Sequence, residues 1–174
     1  MLQIRLAAPN DLGGIAALLQ ANAPSRGGSL TGEFPTGKVA AMLRSGMPTV
    51  AALRDGRIVG ALFSSSAAQP TPPAPVAAML RAWPGGSGAY VYGPICVAAS
   101  ERGQGLPARL YAALRSSLPG GEAILFIRRD NAASLRAHQR LGMREVAAFT
   151  LDDTEYVVLS DAGHAGTSIR EHHP

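Results

Sequence analysis

Cysteine occurs once in the 174 residues, as Cys96, so no intrachain disulfide is available and stability has to come from packing. A single thiol also fits a reducing compartment, and a cytoplasmic protein is the expectation. No run approaches the roughly 20 apolar residues of a membrane span. The N-terminus lacks a basic cluster ahead of an apolar stretch, and Pro9, Asn10 and Asp11 interrupt it too early for a signal peptide. Lysine is almost missing: Lys38 stands against fifteen arginines. Aromatic residues make up only 5%, and the arginines form no basic run, which argues against a stacking platform for nucleic acid. Neither nucleic acid nor membrane is an expected partner, and no metal is assigned.

Hydrophobic residues reach 47%, enough for a core, and the length fits one domain, taken as residues 1–160 with a polar tail at 161–174. The net charge of +4 fits either a compositional bias toward arginine or an anionic ligand, because the guanidinium fork suits phosphate.

Leu2 to Leu6 alternates apolar and polar residues and reads as a strand. Asn10 or Asp11 can cap a helix with Leu12, Ile15, Leu18 and Leu19 at helical spacing. Residues 23–37 read as loop, and Lys38 to Ser45 as a short helix. Strand-like runs flank Asp55-Gly56, a strong hairpin signal. Residues 64–88 form a long connection rich in Pro and Gly, with about two helical turns expected over Val76 to Trp83. Its apolar side, with Met79, Leu80 and Trp83, has three readings: packing on the domain, a lid over a substrate, or a contact with a second subunit of a homodimer. From Tyr90 the order is strand to Val97, glycine-rich turn, helix Leu106 to Leu118, strand Glu122 to Ile127, helix Ala132 to Leu141 and strand Arg144 to Phe149. Tyr156 to Leu159 reads as a last strand.

The turn Arg102-Gly103-Gln104-Gly105 joins an apolar strand to an amphipathic helix. Glycines there let successive N–H groups converge at a helix N-terminus, which suits a pyrophosphate. The same glycines also suit a plain tight turn. No Gly-Lys-Ser/Thr follows, so this is not a Walker loop.

Val97 followed by Arg102-Gly103-Gln104-Gly105-Leu106 resembles the acetyl-CoA motif of the GNAT N-acetyltransferase superfamily. Downstream, Asn131 opening a helix, His138 seven residues later and Leu141-Gly142-Met143 at its end resemble the family's second motif. The resemblance implies an α/β (α+β) mixed sheet of six to seven strands with helices on both faces. It also implies an acyltransferase that moves acetyl from acetyl-CoA directly to a primary amine of a small molecule or peptide. A non-catalytic protein that only binds CoA is the alternative. By the same resemblance, Ile95, Cys96 and Val97 meet the pantetheine arm. The pyrophosphate falls to Arg102, Gly103, Gln104, Gly105, Leu106, Pro107 and Ala108, with Asn131 as a further cofactor contact or merely a helix cap.

Gly93-Pro94 inside the fourth strand marks either a bulge or an edge. Pro107 departs from the family's Gly or Ala and removes one N–H donor. Phe126 stands where some relatives have a Glu base. His138 is either a hydrogen-bonded core histidine or the acid that protonates the departing thiolate. Cys96 is read as a small core residue rather than a nucleophile. Glu33, Tyr90 and Tyr92 are the candidates for the acceptor side. The acceptor loops contain no motif that names the amine.

Overall fold

The computed structural model describes residues 1–163. Seven strands form one mixed sheet: β1 (Leu2–Leu6), β2 (Val50–Arg54), β3 (Arg57–Ser66), β4 (Tyr90–Val97), β5 (Ala123–Arg128), β6 (Arg144–Leu151) and β7 (Thr154–Ser160). Their spatial order is β1-β2-β3-β4-β5-β7-β6. Only β4 and β5 run parallel, and the connection between them holds a helix, as parallel neighbours require. The helices are α1 (Leu12–Ala21), α2 (Thr36–Leu43), α3 (Ala74–Ala82), α4 (Leu106–Ser117) and α5 (Ala132–Arg140).

The two-residue period of the strands sorts side chains onto two faces. Val50, Leu62, Tyr92, Leu125 and Leu159 lie on the first face, under Leu106, Leu110 and Leu114 of α4. Leu135 and Leu141, at α5 and its end, border the same cluster. The second face has two separate caps. Ile15, Leu19 and Val39 of α1 and α2 cover Ala61, Phe63 and Cys96. Met79 of α3 covers Val91, Ile124 and Val158.

Asp55 and Gly56 have φ of 49° and 80°, the left-handed pair that a tight two-residue hairpin needs. A second hairpin, absent from the sequence reading, joins β6 to β7 through Asp152 and Asp153 at φ 49° and 61°. Aspartate tolerates this region better than most side chains, and the turn lets both strands extend beyond their expected ends. The expected bulge is present in β4. Leu62 pairs with Ile95 and Ser64 with Tyr92, so Gly93 and Pro94 together oppose Phe63.

The long 64–88 connection is fixed to the domain rather than free. Ala78 and Met79 of α3 are buried. Trp83 donates its indole N–H to Glu122 at 2.8 Å, and the same carboxylate accepts from the Gly86 N–H at 3.0 Å and the Ser160 hydroxyl at 2.6 Å. These donors hold the Glu122 carboxyl below its ordinary pKa, overcoming the opposing effect of burial. Order also continues past residue 160. Asp161, expected in the tail, is buried and accepts from the Tyr111 hydroxyl at 2.5 Å and the Ala123 N–H at 2.7 Å. The rest of the expected tail, from residue 164, lies outside the described residues.

Candidate active site

The parallel pairing of β4 with β5 is short. Tyr90 pairs with Ala123 and Val91 with Ile124, and no further pair follows. Past the bulge β4 continues on β3, while β5 continues on β7. A seam therefore opens in the middle of the sheet. The Ile95–Val97 end of β4 borders it on one side and the end of β5 on the other, and Cys96, paired with Ala61, turns its main chain toward β3.

The glycine turn closes the far end of β4. Gly103 and Gly105 have φ of 75° and 74°, a conformation that other residues rarely adopt. A Cβ at either position would meet nothing within 4 Å, so the turn faces open space. Among the described residues, the N–H groups of Gly103, Gln104, Gly105, Leu106 and Ala108 have no acceptor. Gly105 caps α4, and Pro107 is the second helical residue, so the helix presents its N-terminal donors with one missing. A cluster of free N–H groups at a helix start suits the charge and shape of a pyrophosphate.

Side chains hold this turn in place, among them an Arg54–Glu101 pair that the sequence reading missed. Glu101, just before it, is buried and takes a two-point bond from Arg54 of β2, at 2.6 and 2.9 Å. Arg54 holds the Glu101 carboxyl below its ordinary pKa. Arg102 donates to the Asn22 side chain at 2.8 Å, tying the turn to the end of α1. Gln104 donates to the Ser100 carbonyl at 3.3 Å, inside the turn itself. Leu106 is buried, so it offers a ligand only its main chain. No local pattern announces the Arg54–Glu101 pair, because its partners lie 47 residues apart.

Asn131 caps α5: its side-chain oxygen accepts from the Ser134 N–H at 3.2 Å. One helical face further on, His138 is buried at 4% exposure. Its Nδ1 lies 2.8 Å from the Ser134 carbonyl, a pure acceptor, so Nδ1 has the proton. Nε2 then accepts from the Tyr92 hydroxyl at 3.1 Å. Burial pushes the His138 pKa down, which keeps the ring neutral. Tyr92 also packs edge-on to His138 and to Tyr111, and burial drives its own pKa well up.

The remaining candidates fall elsewhere. Tyr90 and Tyr92 lie beneath the helices of the first face, at 2% and 4% exposure, so neither offers a surface to an acceptor. The Tyr90 hydroxyl has no partner among the described residues, and burial raises its pKa to about 12. Cys96 points to the other face, under α1, with its thiol raised to about 11 by burial. A thiol held protonated is a poor nucleophile. Glu33 is exposed and braces its own loop by accepting from the Ser25 N–H at 2.9 Å. Among the described residues, no group of three or more His, Cys, Asp or Glu side chains is placed to hold a metal, and no helix is long and apolar enough to cross a membrane.

Comparison with known proteins bears on this geometry directly. The family model described as the acetyltransferase (GNAT) family matches residues 28–143. No curated protein sequence matches significantly. An N-acetyltransferase from Staphylococcus aureus Mu50 superposes with a TM-score of 0.69 at 20% identity, covering 92% of this chain and 97% of that one. The Salmonella typhimurium protein yncA, solved with its cofactor acetyl-CoA, gives 0.70 at 16% identity, covering 97% and 99%. The ribosomal-protein-S18-alanine N-acetyltransferase of Escherichia coli gives 0.66 at 14% identity, with 92% of each chain covered. At these identities the structures establish the shared fold.

Proposed function

The chain belongs to the GNAT acetyltransferase family, and from that premise we propose that it moves an acetyl group from acetyl-CoA directly to a primary amine of a small molecule or peptide. The observation that supports this reading most is the pairing of an open β4–β5 seam with a turn of unpartnered N–H groups at its end. One feature takes the thioester arm and the other its phosphates. Bound there, acetyl-CoA supplies an activated acyl carbon. Main-chain groups of Ile95 and Val97 would line the arm. The N–H groups of residues 103–106 and 108 would face the phosphates, with Asn131 at the adjoining helix start.

The protein's contribution is then mostly orientation, bringing an amine and a carbonyl together in line. Phe126 occupies the second-face position of β5 at the seam, so no carboxylate base stands there. We assign the amine proton to solvent, with the amine attacking in its neutral form. His138 remains the candidate for protonating the thiolate. For that role the Tyr92 hydroxyl must leave Nε2 and the ring must take a second proton, which its burial opposes.

Two measurements test the proposal. Calorimetry with CoA, NAD and ATP should give binding to CoA alone. Thiol release from acetyl-CoA with a panel of amines should then show turnover. Binding without thiol release would leave the non-catalytic CoA-binding reading standing, and binding to NAD or ATP instead would reject both.

A further inference from the structure

On the second face of the sheet, three rings gather beside the seam. Phe149 and Tyr156 stack at 4.9 Å with 15° between planes. Phe126 meets their edges at 6.1 and 5.6 Å. All three are only half-buried, although the chain has few aromatics to place. Phe126 lies two residues past Ile124, the last β5 residue paired with β4, and on the same face. It is therefore the first second-face side chain at the opening.

Topology decides which substrate meets these rings. The glycine turn feeds α4, and α4 and α5 pack on the first face. A cofactor held at the turn enters the seam on that side. The amine has to reach the same acyl carbon from the other side. There α1 with α2, and α3, cover the sheet as two separate clusters, and the seam lies between them. Charge adds a second, independent constraint. The β6–β7 hairpin, residues 144–160, has four carboxylates against one basic residue, Arg144, in a chain of net charge +4. Glu145 and Glu155 pair with Arg129, while Asp152 and Asp153 at the tip form no ion pair among the described residues.

We propose that the acceptor is an amine borne on an aromatic or flat apolar body, held against Phe126, Phe149 and Tyr156, with its ammonium group drawn in by the acidic hairpin tip. This rests on the acetyl-transfer reading above. The rings supply apolar contact and π faces for a cation, and Asp152 and Asp153 supply long-range attraction that salt screens. The ammonium first gives a proton to water; the neutral amine nitrogen then bonds to the acetyl carbonyl carbon and the carbon–sulfur bond breaks. A second amine proton goes to water, and the thiolate takes up a proton to leave as the free thiol.

The experiment compares phenethylamine and tryptamine with glucosamine as acceptors, at saturating acetyl-CoA. The wild type should favour the aromatic amines in kcat/KM by at least about tenfold. Phe149→Ala and Tyr156→Ala should raise the phenethylamine KM by about tenfold and leave the acetyl-CoA KM unchanged, whereas Tyr156→Phe should behave as wild type. Asp152→Asn with Asp153→Asn should raise the phenethylamine KM at low salt, and the difference should vanish at high salt. Because the rings also cover part of the core, the wild-type comparison serves as a test that needs no variant. Equal kcat/KM for phenethylamine and glucosamine, with normal acetyl-CoA binding and thiol release, would overturn this proposal alone. Loss of CoA binding in the wild type would instead overturn the acetyl-transfer reading beneath it.

Discussion

The glycine turn at residues 103–105 offers main-chain N–H groups, whereas the face with Phe126, Phe149 and Tyr156 offers rings. The first surface is held from both sides, by Arg54 on Glu101 and by Asn22 on Arg102. The second is held by packing, Phe126 and Phe149 against the buried Met79 cluster and Tyr156 against both rings. A pyrophosphate is the same in every acetyl-CoA, so a main-chain cradle that admits no choice is suited to it. Acceptors differ, and a surface made of side chains can change without disturbing the sheet.

His138 lies on the first face beside Tyr92, and the largest effect is expected there. His138→Ala should lower kcat by about 10²–10⁴-fold with little change in acetyl-CoA affinity if the ring donates a proton to the thiolate. Loss of thermal stability with normal specific activity would assign it to the core instead, on the strength of its Ser134 and Tyr92 bonds. Gly105→Val should weaken CoA binding by about ten- to a hundredfold, because a branched residue at φ 74° strains the turn by roughly 1–3 kcal/mol. The open space before that position means the loss comes from backbone conformation and from the ligand, not from a clash within the protein. Calorimetry with CoA measures it, and unchanged affinity would make the turn purely structural.

Pro107→Ala restores the missing N–H at the second helical position without loosening the helix. CoA binding should tighten by about tenfold, one charge-assisted bond at the low end of its range of about 1.5–3 kcal/mol. A change on the ring face such as Tyr156→Ala should leave that affinity untouched, and coupling between the two would show that the turn and the ring face do not act independently.

The smallest effect is a pH dependence of stability. Burial lowers the His138 pKa in the folded state, so the unfolded chain binds the proton more readily. Stability should be full above the ordinary histidine value of about 6.5 and fall as pH drops below it. His138→Gln should flatten that slope in thermal melts between about pH 7.5 and 5.5. A wild-type melting temperature that is constant over this range would contradict the buried neutral ring.

Much of the glycine turn and of the strand before it was legible in the residues. Gly103, Gly105 and the strand before them are local, and local backbone requirements leave local traces. The Asp55-Gly56 hairpin and the bulge at Gly93-Pro94 were legible for the same reason. The Asp152-Asp153 turn was not, since aspartate pairs also occur in loops that keep φ negative. Tyr90 and Tyr92, two residues apart, share one strand face, but spacing cannot say which face meets helices and which meets a substrate.

The sequence by itself determined the order of elements and the turn that suits a pyrophosphate, because periodicity and glycine spacing act over a few neighbouring residues. Only the tertiary structure decided which side chains meet. It put Arg54 on Glu101, Tyr92 on His138 and Trp83 on Glu122, and it gathered Phe126, Phe149 and Tyr156 from three strands. Those contacts depend on how the sheet orders its strands and on which helix covers each face, and neither is encoded within any short stretch of the chain.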